Sequence, residues 1–198
     1  MTPYEIIGAP LTLWLAPVGT AFPLIDAAPA NTWIKVGTNG DRNYDEAGVT
    51  VTHGETFSEV ATAGSTGPVK AFRTAESLKI KLMLLDVSLE QYATALGKAT
   101  IATTAAGIGT AGFKKMGLSQ GESVALYALL ARGDSPYADA MTAQYEVPRC
   151  YQSAQAAPVY RKGTPAALEL EFTALEDASA ASAAERFGRL IAQHQVAL

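Results

Sequence analysis

The residues able to do nucleophilic, acid–base or metal chemistry are few and scattered. Two histidines, His53 and His194, and one cysteine, Cys150, are the whole supply of imidazole and thiol. A zinc site takes three or four Cys, His or carboxylate ligands, and this is a poor inventory for one. His53-Gly54-Glu55 is the H-x-E half of a zinc-deaminase signature, but the P-C-x-x-C half is missing and Pro148-Arg149-Cys150-Tyr151 does not supply it. His53 therefore reads as a polar strand residue. Cys150 lies close to Pro148 with no histidine near it in sequence, and reads as a core or half-exposed thiol rather than a nucleophile. Gly107-Ile108-Gly109-Thr110-Ala111-Gly112 has the glycine spacing of the dinucleotide fingerprint. That fingerprint must follow a parallel strand, open a helix and precede an acid about twenty residues on; its surroundings here read as a flexible loop instead. Lys98 and Lys114 lack the glycines of a phosphate-binding loop, and there is no G-x-S-x-G elbow. Glu169 and Glu171 share a strand face, and paired carboxylates can hydrolyse glycosides. Two outward glutamates on one strand are ordinarily a solvated or salt-bridged face. Arg132-Gly133-Asp134 reads as turn chemistry after a strand. No constellation outweighs its structural explanation, so neither enzymatic activity nor a cofactor is expected.

The elements that would position any site centre on Thr50–Gly97. Leu78, Ile80, Leu82 and Leu84 alternate with Ser77, Lys79, Lys81 and Met83, the period of two of a half-buried strand. The period then changes. Ser88 and Gln91 have capping-box spacing; Leu89, Tyr92, Ala93 and Leu96 fall on one helical face; Gly97 stands where a left-handed residue ends a helix. The spacing predicts a helix near 88–96. A polar strand from Val49 to Glu59 precedes this unit, and a loop of small residues, Gly64–Arg73, is expected to cross between the strands. Asp41 to Glu59 holds five acids and one base, and Lys70 to Lys81 four bases and one acid. Either these are cross-strand partners, or they lie at opposite ends and make a head-to-tail self-contact.

Residues 1–48 are punctuated by proline and glycine and read as a meandering arm, with strands at Leu11–Ala16 and Thr32–Val36 and a turn at Asn39-Gly40-Asp41. Residues 98–121, rich in Ala, Thr and Gly, read as a long functional or mobile loop. Ser123–Ala131 is apolar on both faces and predicts a central strand. Thr142–Gln152 predicts a strand that is at an edge or bulged at Pro148. Arg161-Lys162-Gly163-Thr164-Pro165 predicts a turn. Ala167–Leu175 predicts a strand whose Glu169 and Glu171 face Lys79 and Lys81. Propensity favours a helix over Ser179–Ala184, broken at Gly188, with the remainder of a C-terminal arm, 178–198, docking in extended form. The expectation is a mainly β single domain: an antiparallel β-sandwich or barrel over 49–177 with one flanking α-helix and extended loops and arms.

The 198 residues are enough to bury a core without staples. Charged residues make up 17% and the net charge is −4, against about 25% charged in ordinary soluble domains. Low charge with many small residues suggests either a surface largely covered by partners or simply an alanine-rich genome. The isoelectric point near 5.2 leaves no global basic footprint for tight nucleic-acid binding. A single cysteine excludes an internal disulfide. No basic n-region with an apolar run opens the sequence and no segment approaches ~18 uninterrupted apolar residues, so folding in the cytoplasm with no membrane segment is expected.

Blocks spread over nearly the whole chain resemble the major tail, or tail tube, proteins of long-tailed bacteriophages. They are Ala9–Pro23 (APLTLWLAPVGTAFP), Trp33–Asp41 (WIKVGTNGD), Gly48–Val51, Gly67–Glu76 (GPVKAFRTAE) with the strand and helix after it, Ser135-Pro136-Tyr137, Tyr145–Arg149, Lys162–Ala166 and Glu185–Ile191. The resemblance lies in their order and combination; none is catalytic. It implies a β-sandwich with a flanking helix, six copies to a ring, and rings stacked into a hollow tube that delivers the genome. It implies a virion protein assembled in the host cytoplasm. Its partners would be itself, the tape measure, tail terminator and distal tail proteins, and DNA in transient, non-specific passage. A conduit should not hold its cargo through many phosphates, which suits an acidic chain. Candidate subunit contacts are then Gly67, Pro68, Lys70 and Arg73 in the first loop, with Arg73 meeting an acid of the Asp41–Glu59 group on a neighbour. Ala106, Gly107 and Gly109 in the second loop, and Arg186 and Phe187 near the C-terminus, complete the set. The alternatives are a terminator or distal tail protein that makes single rings, and a carbohydrate-active sandwich using Glu169, Glu171, Trp14 or Trp33.

Overall fold

The computed structural model describes residues 6–97, 100–138 and 140–194. Among them the protein is mainly β, built as a large antiparallel sheet with one α-helix. The strands are β1 (Thr12–Pro17), β2 (Ile34–Lys35), β3 (Tyr44–Ala61), β4 (Pro68–Leu84), β5 (Ala102–Thr104), β6 (Phe113–Lys115), β7 (Leu126–Asp134), β8 (Thr142–Gln152), β9 (Leu168–Ala174) and β10 (Arg189–Ala192). The order across the sheet is β2-β1-β7-β8-β9-β4-β3, with β10 also pairing β8, and β5-β6 forms a separate hairpin.

The alternating stretches make the core. Leu78, Ile80, Leu82 and Leu84 on β4 and Leu168, Leu170, Phe172 and Ala174 on β9 are all buried, together with Leu13, Leu129 and Val147. β4 and β9 pair Ile80 with Phe172 and Lys81 with Glu171. On the opposite face Lys79 Nζ lies 2.9 Å from Glu171 Oε1 and Lys81 Nζ 2.6 Å from Glu169 Oε1. The two lysines and two glutamates therefore share a face, as the alternation requires.

The sheet bends until its far strands meet. The buried Tyr44 hydroxyl, at the start of β3, accepts the Leu13 N–H at 3.1 Å and donates to Val36 O at 2.9 Å. Thr12 Oγ1 donates to Asp41 Oδ1 at 2.9 Å. The last strand of the order is thus hydrogen-bonded to the strand next to its other edge, which gives the sheet its sandwich- or barrel-like form. The predicted turn at Asn39–Asp41 leads into the 3-10 turn Gly40–Asn43 that makes this closure, with Asn39 just before it.

β7 is central, as its two apolar faces demand: Ala128, Leu129, Leu130 and Ala131 are all buried. It runs on through Arg132-Gly133-Asp134, so that triplet is strand and not turn. Arg132 pairs with Thr12 on one side and Gln144 on the other, and its guanidinium donates to Ala27 O and Leu24 O. β8 is bulged rather than at an edge. Its first half pairs β10 through Ala143–Glu146 and its end pairs β9 through Cys150–Gln152, while the β7 register slips between Tyr127 and Leu129. Pro148, which has no N–H to donate, falls at this slip between the two pairings.

The other face of β7 and β8 is covered by the segment after β1. Trp33 stacks near Phe22, ring centroids 5.2 Å apart, over Ala128 and Leu130. Gln144 and Glu146 are buried beneath it; Gln144 Nε2 donates to Pro23 O, and Arg189 Nε donates to Glu146 Oε2 at 2.7 Å. A buried charge needs such a partner, and nothing in the spacing of these residues announces the network.

Helix α1 (Leu89–Ala95) lies beside β9. The capping box does not form. Ser88 makes no side-chain cap bond; instead the Ser88 N–H donates to Asp86 Oδ1, and Asp86 also accepts from Thr38. Gln91, Ala93 and Ala95 are the buried positions, while Leu89, Tyr92 and Leu96 are only half-buried. Gly97 has φ +64, the left-handed geometry expected at the end of the helix. The helix predicted over Ser179–Ala184 is replaced by a 3-10 turn, Ala183–Glu185, and β10 follows. Lys98 and Ala99 of the long predicted loop, and residues 195–198 of the predicted arm, lie outside the described residues.

Candidate interaction surface

The predicted crossing loop at Gly64–Arg73 is instead half of a projecting hairpin. β4 begins at Pro68, and β3 and β4 stay paired from His53↔Leu78 out to Ala61↔Pro68. β9 supports β4 only from Lys79 to Leu84. Beyond Ser77 no third strand pairs with the ribbon among the described residues, and residues 55–66 and 68–76 are all exposed. Two β-strands alone are marginally stable in water, so this arm needs local ties. Arg73 Nη2 is 3.0 Å from Glu55 Oε2, and Thr74 Oγ1 donates to the Thr56 carbonyl. Arg73 stacks over Phe57 on one face, and Lys70 over Phe72 on the other at 4.8 Å. The Arg73–Glu55 pair is solvated and worth at most about 1 kcal/mol.

These contacts leave much apolar surface uncovered. Phe57, Val60, Val69 and Phe72 are each about half exposed, on both faces of the ribbon. Singly exposed apolar residues are ordinary; here four lie close together on one projecting element, two on each face. Arg73, expected to reach an acid on a neighbour, pairs with Glu55 of its own chain; the acidic and basic groups are cross-strand partners here because β3 and β4 are adjacent. Gly67 and Pro68 form the end of the turn, where Ser65 Oγ donates to Gly67 O.

The second predicted loop contains the β5–β6 hairpin rather than unpatterned chain. Gly107 and Thr110 exchange backbone hydrogen bonds of 3.0 and 3.1 Å, and Gly109 takes φ +74 in the two-residue turn. Ala106, Gly107 and Gly109 lie exposed there, beside a fully exposed Ile108. Lys114 pairs with Glu90, tying this hairpin to α1. Arg186 is exposed and pairs with Glu176. Phe187 is partly buried against the main core. The two hairpins and the Arg186 region are separate features and do not form one patch through any contact described.

The residues weighed for chemistry are held in structural contacts. Glu169 and Glu171 are engaged by Lys81 and Lys79, and hydrogen bonds from Lys79 and Ser153 hold the Glu171 carboxyl below its ordinary range. Trp33 is buried and Trp14 packs on the same small cluster. Glu55, the acid of the H-x-E triplet, pairs with Arg73. No group of three or more His, Cys, Asp and Glu able to hold a metal occurs among the described residues, and none of their helices is long and apolar enough to cross a membrane.

Cys150 is fully buried on β8, and burial pushes its thiol up to about 12 from an ordinary 9.0. A raised folded-state value stabilises the fold below the unfolded value and loses that contribution as pH rises from about 9 towards 12; burial of the Tyr127 hydroxyl acts in the same direction. The thiolate is the reactive form. Native protein at pH 8 is therefore expected to resist iodoacetamide at least about a hundredfold better than urea-unfolded protein. Mass spectrometry of timed aliquots measures the ratio, and equal rates would contradict the burial.

Compared with known proteins, the chain matches no family model and no curated sequence.

Proposed function

We propose that this chain is a structural virion protein of the long-tailed bacteriophage tail: a subunit that self-assembles into stacked six-membered rings and forms the hollow tube for genome delivery. The observation that carries the reading is the arm. A ribbon with exposed Phe57, Val60, Val69 and Phe72 on its two faces, and no support beyond Ser77, is a surface built to be covered by other protein. The ordered blocks from Ala9 to Ile191 that resemble tail tube proteins support reading that protein as further copies of the same chain. The low charge supports extensive subunit contact, and the net charge of −4 suits a bore that lets DNA pass without counterion-releasing contacts. The tape measure, tail terminator and distal tail proteins are the partners this reading assigns at the tube's interior and ends.

Electron microscopy of the purified protein, with light scattering of the same sample, tests the reading. Long hollow tubes are the expected result. Isolated rings would replace it with a terminator or distal tail protein, and a monodisperse monomer at millimolar concentration would overturn it. Replacing residues 56–75 by Asn-Gly shortens the arm to a two-residue hairpin. That variant is expected to keep its unfolding midpoint while losing tube formation, because the arm contributes nothing to the core.

A further inference from the structure

The strand that carries the arm borders a groove at its other end. β3 pairs Tyr44 with Leu84 and next Val49 with Leu82, so Asp45–Gly48 bulge out opposite Met83 alone. Gly48, at φ +66, makes the turn back into register. Across from this bulge runs β10, whose hydrogen bonds go to β8. Between them lies a groove of about 670 Å³ with an apolar floor that includes Ile7, Leu11, Tyr137, Tyr145 and Leu190. Ile7, Tyr137 and Leu190 are each about half exposed. Glu46 and Asp134 stand on its walls, and among the described residues no lysine or arginine lines it.

We infer that this groove is the socket for the arm tip of a second copy of the chain. The inference rests on the self-assembly proposed above and names the two surfaces that would meet. Charge is the first argument. Residues 60–75 carry Lys70 and Arg73 and no acid; Arg73 is held by Glu55, which leaves Lys70 to meet the groove, whose lining among the described residues has two acids and no base. Apolar match is the second: Val60, Val69 and Phe72 at the tip are uncovered, and an extended segment added beside β10 would bury them while continuing the sheet. Geometry is the third. Ala47 in the groove wall and Ala61 at the tip are fourteen residues apart along one strand, 61 minus 47, or roughly 46 Å at about 3.3 Å per residue. The tip cannot reach its own groove while β3 stays a strand. A contact between unlike ends of identical molecules is head-to-tail, and repeated it makes rings or open polymers rather than a closed dimer.

The test uses the full-length chain with Val69→Cys at the tip and Leu190→Cys in the groove, both exposed positions; Cys150 is buried and stays silent. A short bis-maleimide added to assembled protein is expected to give a ladder of covalent multimers with the double variant, and no ladder beyond dimers with either single variant. Tubes or rings visible by microscopy without a ladder would overturn the socket while leaving self-assembly standing. Absence of any assembly by the unmodified protein would overturn both. Charge exchange gives the second arm. Glu46→Lys and Lys70→Glu are each expected to raise the concentration needed for assembly about tenfold, and together to restore most of it. Two single effects that simply add in the double variant would also overturn the pairing.

Discussion

Phe172→Ala is expected to lower the unfolding free energy by about 3–5 kcal/mol, the usual cost of removing a large buried aromatic side chain. Phe172 is 1% exposed, in the middle of β9, opposite Ile80 and among the buried leucines of β4. Its removal forfeits the transfer energy of the ring and leaves a cavity that the flanking strands, hydrogen-bonded on both sides, cannot collapse to fill. Urea unfolding followed by fluorescence should show a lower midpoint at unchanged slope. Phe72→Ala is the matched contrast. Phe72 is 48% exposed on the arm, so the same substitution should stay within about 0.5 kcal/mol of wild type, as surface changes do, yet impair assembly. A Phe72→Ala protein as unstable as Phe172→Ala would mean that the arm is packed in the monomer.

Gly188→Ala is expected to be comparably severe, at about 2–6 kcal/mol. Gly188 has φ +122, where L side chains are strained, and a Cβ built there would sit 2.2 Å from Glu146 O. Strain of this kind costs about 1–3 kcal/mol, and forcing atoms into filled space about 1–3 more. The obstructing atom is backbone of β8, so it cannot swing aside. Relief requires β10 to leave β8, taking Arg189 away from the buried Glu146 carboxylate. Hydrogen exchange should therefore show lost protection in both β10 and the first half of β8. Gly64→Ala, in open space at the arm turn, should change neither, and undisturbed protection in Gly188→Ala would contradict the close approach.

The parts of the fold legible in the sequence are those in which one face is buried and the other wet. β4 and β9 announce themselves through alternation, and the lysines of one meet the glutamates of the other because both strands show the same face to solvent. The arm is not legible. Val60, Val69 and Phe72 face water on a ribbon with no buried side, so no period of two separates inside from outside, and the glycines at 64 and 67 suggest a loop where only the turn is irregular. The C-terminal segment misleads for a different reason. Ala and Ser favour a helix after Ser179, but a free length of β8 beside Glu146 recruits Arg189–Ala192 as a strand, and tertiary pairing overrides local propensity. Arg132-Gly133-Asp134 likewise has turn composition, yet the strands on both sides hold it extended. The groove cannot be seen in sequence at all, since its walls come from residues 7–11, 46–49, 134, 136, 137, 143, 145, 190 and 192.

That dispersal has a consequence for the order of events during synthesis. The arm is closed by a turn between Ala61 and Pro68 and needs nothing downstream of Leu84 to zip. The centre of the sheet waits for distant partners, such as Leu15 with Leu129 and Ile80 with Phe172, and chains dominated by such pairings fold slowly. The groove waits longest, for Leu190. From residue 84 to residue 190 is 106 residues, 190 minus 84, or roughly 5–20 s of translation at about 5–20 residues per second. Each nascent chain can thus offer a plug long before it owns a receptacle. Under the pairing proposed above, two chains that have not yet reached Leu190 cannot join each other, because neither carries the groove.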